Sequence, residues 1–155
     1  MKRRKFVLAL AGAAGVAGLG ATSALAQNWN YRRYRRPDVD ATIRRCEEST
    51  DRFVKVFDKQ LDKSALNDTE REDRLNERAR DLENSLDRLR SDFNKRGESW
   101  WESRETAAEA LQSAKGINNS VRARRYRQET ERLWAQLRAD LNRLAYYFGL
   151  PGLPR

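Results

Sequence analysis

No proline stands between Pro37 and Pro151, and across that span apolar residues recur at alternating steps of four and three. Proline breaks helices because it lacks an amide donor and its ring collides with the preceding turn. A four-three alternation keeps apolar side chains on one face of a 3.6-residue helix. Together these two properties leave little but α-helix open to the chain. Four stripes can be read. The first carries Val39, Ile43, Cys46, Thr50, Phe53, Phe57 and Leu61, and the second Leu75, Ala79, Leu82, Leu86, Leu89 and Phe93. The third has Trp100, Ala107, Leu111, Ala114 and Val121, interrupted by Arg104 and Asn118. The fourth has Leu133, Leu137, Leu141, Leu144 and Phe148, widened by Trp134 and Ala145.

Boundary signals separate the stripes. Asp38 and Asp40 follow Pro37 and can accept hydrogen bonds from first-turn amides. Thr69–Glu72 and Ser99–Glu102 both have capping-box spacing, and Gly97 suits the left-handed residue that ends a helix. The third boundary has two readings: an end at Gly116, or a helix that passes through Gly116 and breaks near 124–128. Val121 keeps the apolar phase and favours the later break. Four helices of about 20–27 residues, roughly 30–40 Å each, predict an all-α, antiparallel up-down four-helix bundle over residues 38–149. A three-helix bundle with the first helix detached or swapped into a partner competes with it, and the spacing also permits coiled-coil association between chains. Residues 150–155, with Pro151 and Pro154, read as a short C-terminal tail.

The N-terminus carries a different message. Lys2 to Lys5 form a positive start, Phe6 to Leu19 an uncharged run, and Ala24-Leu25-Ala26 a small-x-small site. That order is the signature of a secretory signal peptide, residues 1–26, cut after Ala26. Arg3-Arg4-Lys5-Phe6-Val7 resembles a twin-arginine export signal, with Lys2 where that family prefers Ser or Thr; an ordinary Sec signal is the other reading. The apolar run is short for a membrane anchor, which needs about 20 residues, so no membrane-spanning segment is expected after processing. The predicted destination is the periplasm or the exterior of a bacterial cell. Loss of Lys2, Arg3, Arg4 and Lys5 takes the basic residues from 32 to 28 against 23 acidic ones, and the net charge from +9 to +5. Arg32, Arg33, Arg35 and Arg36 hold most of that excess. Basicity is therefore local, unlike the all-over field of a general nucleic-acid binder. Residues 27–37 read as an extended, flexible, Arg/Tyr-rich tail.

An internal echo joins the second and fourth helices. Leu89-Arg90-Ser91-Asp92-Phe93-Asn94 and Leu137-Arg138-Ala139-Asp140-Leu141-Asn142 share Leu-Arg-x-Asp-apolar-Asn. Such residues flank the core stripes, where they can fix the register between helices; a ligand site is the alternative. These copies, with Asn67-Asp68-Thr69-x-Arg71-Glu72-Asp73-Arg74-Leu75-Asn76 and the ending Leu141-Asn142-Arg143-Leu144-Ala145, resemble an uncharacterised group of exported helical proteins from environmental bacteria. The resemblance covers most of residues 39–150. It implies the fold and the export and adds no mechanism.

The residue inventory narrows the chemistry. The chain has no histidine, one cysteine and, besides the initiator, no methionine. The commonest general base and metal ligand is missing, as are the Glu-x-x-His pairs of di-metal bundles. A lone cysteine builds neither a structural zinc site nor an iron–sulfur site. No cofactor, metal or catalytic residue is expected. Cys46 lies on an apolar stripe and reads as a buried thiol, with an intermolecular disulfide as the alternative. Acidic pairs such as Glu47-Glu48 and Glu72-Asp73 sit in a chain that is 35% charged, where they read as solvated faces with basic neighbours. Adjacent Trp100 and Trp101 cannot both face one neighbour, so one belongs in the core and the other near a groove or interface.

One pattern stands out. Arg32-Arg33-Tyr34-Arg35, followed by Arg36, recurs as Arg124-Arg125-Tyr126-Arg127. Guanidinium forks onto phosphate and carboxylate while tyrosine adds a stacking face, so the mixture suits polyanions. A solvated tail and a polar loop are the plainer alternative. In an up-down bundle the two runs lie at opposite ends. The sequence thus predicts a non-catalytic, exported helical bundle acting by binding or assembly in the cell envelope, toward an envelope protein or an anionic polymer, with homo-oligomers open to it. The alternatives are a binder of anionic envelope polymers or nucleic acid through the Arg/Tyr runs, and a periplasmic chaperone-like stress protein.

Overall fold

A computed structural model describes residues 31–63, 70–123 and 126–155. The predicted signal peptide 1–26 with Ala26, residues 27–30, Thr69 of the first capping box, and Arg124 and Arg125 lie outside the described residues. Four α-helices follow one another: α1 (Arg36–Asp62), α2 (Glu70–Arg96), α3 (Arg104–Arg122) and α4 (Gln128–Tyr147). A single 3-10 turn, Tyr31–Arg33, precedes α1, and a 3-10 segment, Gly97–Ser103, joins α2 to α3. No strand occurs among the described residues. The protein is an antiparallel up-down bundle in which α1 packs on α2 and α4, and α3 packs on α2 and α4.

The apolar stripes form the core. Val39, Ile43, Cys46, Phe53, Phe57 and Leu61 of α1 face Leu82, Leu86, Leu89 and Phe93 of α2 and Leu137, Leu141 and Leu144 of α4, all essentially without solvent contact. Acids open α2 at Glu70, Glu72 and Asp73 and bases close it at Lys95 and Arg96, in the sense that favours the helix dipole. The α1–α2 face is locked by Arg90, whose guanidinium reaches Asp40 at 2.6 Å and Glu47 at 2.7 Å. The Leu-Arg-x-Asp copies fix register in parallel ways. Asp92 accepts the Thr106 hydroxyl of α3 at 3.2 Å, and Asp140 accepts the Ser49 hydroxyl of α1 at 3.2 Å.

Two local expectations about helix caps need correction. The spacing Ser99–Glu102 does not make a capping box: Ser99 is non-helical (φ −88°, ψ 33°), and the helix starts five residues later at Arg104. Glu102 pairs instead with Arg96 at 2.9 Å. The acid after Pro37 is likewise engaged elsewhere, because α1 starts at Arg36 without a side-chain cap and Asp38 pairs with Arg35 at 3.1 Å. Gly97 does take the left-handed conformation (φ 55°), and α3 does run through Gly116 to Arg122.

The last residues are not a loose end. Gly149 turns the chain with φ 59°, and the segment after it lies along the α3–α4 seam, the thinnest of the four helix contacts. Asn142 of α4 accepts the Leu153 amide at 2.6 Å and donates to its carbonyl at 3.3 Å. Asn118 of α3 donates to Pro154 O at 3.1 Å and accepts the Trp134 indole N–H at 3.0 Å. Leu153 is thereby buried. At Gly152 a side-chain carbon would stand 2.8 Å from Asn142 Oδ1, so glycine is what lets the backbone approach.

Candidate functional site

The bundle has two chemically distinct ends. The first gathers the N-terminal turn, the α2–α3 connection and the end of α4; the other gathers the end of α1, the end of α3 and the start of α4. Arg32–Arg36 of the first arginine–tyrosine run and Tyr126 and Arg127 of the second fall at opposite ends, as the up-down order requires. Helices of 27 residues put those ends about 40 Å apart at 1.5 Å per residue.

At the first end the segment read as an extended tail packs down from Tyr31 onward. Tyr31 stacks on Trp101 with ring centroids 3.8 Å apart and planes 18° apart. Tyr34 sets its ring edge-on against Tyr146 at 5.3 Å and Tyr147 at 5.1 Å. A hydrogen bond with Tyr146, followed by desolvation, raises the Tyr34 phenol pKa. Trp100 lies beneath this layer, buried and edge-on to Phe148 at 5.5 Å, while Trp101 stays half-buried. One indole thus serves the core and its neighbour the surface. Tyr146 is 61% exposed, the large apolar side chain most open to solvent among the described residues.

The four arginines of this run divide by task. Arg35 pairs with Asp38. Arg36 donates to Gly97 O at 3.0 Å and lies 4.8 Å over the Phe93 ring, which ties α1 to the α2–α3 connection. Arg32 and Arg33 are exposed, Arg32 with its guanidinium 6.0 Å from the Tyr31 ring centroid. Five aromatic rings from three separate segments therefore gather at this end in two groups, Tyr31 with Trp101 and Tyr34 with Tyr146 and Tyr147, both anchored on the N-terminal turn that carries Arg32 and Arg33. Sequence reasoning found Tyr34 and the arginines but missed Tyr146 and Tyr147. An aromatic pair at the close of a helix was the available signal; that it meets Tyr34 is decided only by the fold.

The second run lands in another setting. Tyr126 is half-buried with its ring 5.4 Å from Phe57, and its amide donates to Glu131 at 3.0 Å. The Arg127 amide donates to Gln60 Oε1 at 3.3 Å, and the Arg127 side chain is exposed.

Elsewhere reactive chemistry is sparse. Cys46 is fully buried and desolvation raises its thiol pKa, which suppresses the thiolate. An intermolecular disulfide through it would require the helices to part. Among the described residues no cluster of three or more His, Cys, Asp or Glu could hold a metal ion, and no helix is long and apolar enough to cross a membrane. No family model matches the sequence, and no match is found among curated proteins or solved structures.

Proposed function

We propose that this chain is an exported, non-catalytic bundle of the bacterial envelope, and that it works by holding an anionic polymer against its arginine–aromatic end. The observation that carries the reading is the convergence of Tyr31, Tyr34, Trp101, Tyr146 and Tyr147 beside Arg32 and Arg33. Aromatic faces and edges favour flat rings and sugar faces, and stacking of a nucleobase on such a ring contributes about 1–3 kcal/mol. Guanidinium groups supply forked donors to phosphate or carboxylate. Rings that brace one another lose little freedom on binding, and pre-ordering of this kind lowers the entropic cost of association.

The test is binding of the full chain to anionic vesicles, lipopolysaccharide and an oligonucleotide over a salt series. Affinity for an anionic polymer should fall steeply with salt. The double change Arg32→Ala and Arg33→Ala should make the slope of log K against log salt shallower by about one per lost phosphate contact. Tyr146→Ala should weaken binding without changing that slope. Absence of binding at low salt would overturn the proposal.

A further inference from the structure

The opposite end holds a cavity of 220 Å³ between the last turn of α1 and the start of α4. Lys59, Gln60 and Lys63 line it from one side, and Arg127, Glu129 and Thr130 from the other. Lys59 and Lys63 are four residues apart, so they share a helix face. Elsewhere the bundle pairs its arginines closely, as at Arg35, Arg44, Arg74, Arg90 and Arg96. Among the described residues no carboxylate stands within ion-pair distance of Lys59, Lys63 or Arg127.

Gln60 sharpens the picture. Its Oε1 accepts both the Arg127 amide and the Thr130 hydroxyl. A backbone N–H can only donate, so it fixes which end of the Gln60 amide is oxygen. The polar group left on the Gln60 side chain, which lines the cavity, is its Nε2 amino group, another donor. The lining therefore offers three cations and an amide donor against one carboxylate, Glu129, a formal balance of +2.

We infer that this cavity is a binding site for a phosphate ester. A phosphomonoester carries about −1.5 to −2 charge at neutral pH and three acceptor oxygens, which matches the charge and the surplus of donors. A carboxylate would leave the balance positive and several donors unused. The volume accommodates a phosphate with a small alcohol such as glycerol attached. The inference is independent of polymer binding at the other end.

The experiment follows backbone amides 126–131 of the full chain by NMR during titration with inorganic phosphate, glycerol 3-phosphate and acetate at constant ionic strength. Glycerol 3-phosphate should give saturable shifts, inorganic phosphate weaker saturable ones, and acetate none that saturate. Lys63→Ala and Arg127→Ala should each weaken glycerol 3-phosphate by about tenfold, the size expected for one hydrogen bond to a charged group. Glu129→Gln should tighten it. The Arg32→Ala, Arg33→Ala double change should leave it unmoved, so failure here is distinct from failure of polymer binding. Shifts that never saturate, an equal response to acetate, tighter binding of inorganic phosphate than of the ester, or indifference to Lys63→Ala and Arg127→Ala would each overturn the inference.

Discussion

Arg-Arg-Tyr-Arg occurs twice in this chain, and the described residues of the two copies do different work at opposite ends of the bundle. At the N-terminal end Tyr34 joins Tyr146 and Tyr147 in a surface layer, and Arg32 and Arg33 stand exposed beside it. At the other end Tyr126 turns toward Phe57 and becomes part of the packing, while Arg127 reaches a cavity lined by two lysines. The difference lies in what each run meets. The first lies over the end of α4, where Tyr146 and Tyr147 already supply aromatic surface. The second enters α4 beside the last turns of α1, where the Tyr126 ring packs on the buried Phe57. A short motif thus fixes the available chemistry, and its tertiary neighbours decide which part is spent on stability and which faces solvent.

That contrast can be broken by substitution. Phe57→Ala should cost about 3–5 kcal/mol, because it removes a buried ring that supports both Phe53 and Tyr126 and leaves a cavity; urea denaturation measures it. Asn142→Ala should cost about 1–3 kcal/mol, since it strips a buried amide and carbonyl of their partner, and it should speed hydrogen exchange at the Leu153 amide in particular. Tyr34→Ala should cost less than about 1 kcal/mol, because its ring contacts are made at the surface, while polymer binding should suffer. A stability loss from Tyr34→Ala as large as that from Phe57→Ala would erase the distinction between the two ends.

The smallest effect belongs to the middle of the bundle, where both ends should be indifferent. Desolvation, then Asp51 and Asp87, raise the pKa of Glu83. The folded state therefore binds its proton more tightly than the unfolded state, and stability falls as pH rises through the ordinary and then the raised value. Glu83→Gln should be slightly more stable than the parent at neutral pH. The advantage should vanish once pH drops below the ordinary glutamate value of about 4.3. Thermal midpoints against pH would show the two curves meeting at the acid side.

Much of the fold was legible in the sequence, for a plain reason. Val39, Ile43, Cys46, Phe53, Phe57 and Leu61 keep one period, and periodicity survives any detail of packing. Asn118 illustrates the limit. It looked like an interruption of the third stripe, yet it sits in phase with Leu111 and Val121 and is fully buried. Its partners, the Trp134 indole and Pro154 O, come from other parts of the chain. The C-terminal segment was unreadable because Leu-Pro-Gly-Leu-Pro-Arg has no period, and Asn142 showed only as a position in an internal echo. Ser99 and Glu102 had the spacing of a cap, but Arg96 competes for the acid. For the candidate surface, the arginines and Tyr34 were visible in advance. Tyr146, Tyr147 and the Tyr31–Trp101 stack depend on contacts between segments far apart in sequence, as does the meeting of Lys59 and Lys63 with Arg127.

The most direct test of the central proposal is to map where an anionic polymer touches the chain. Isotope-labelled protein would be titrated with a short anionic oligomer, and amide and indole shifts followed by NMR at low and at moderate salt. The account predicts shifts concentrated at Tyr31–Arg36, Trp101, Tyr146 and Tyr147, reversed by added salt and reduced in the Arg32→Ala, Arg33→Ala double variant. Shifts spread evenly over the helix faces, or confined to the opposite end, would contradict it.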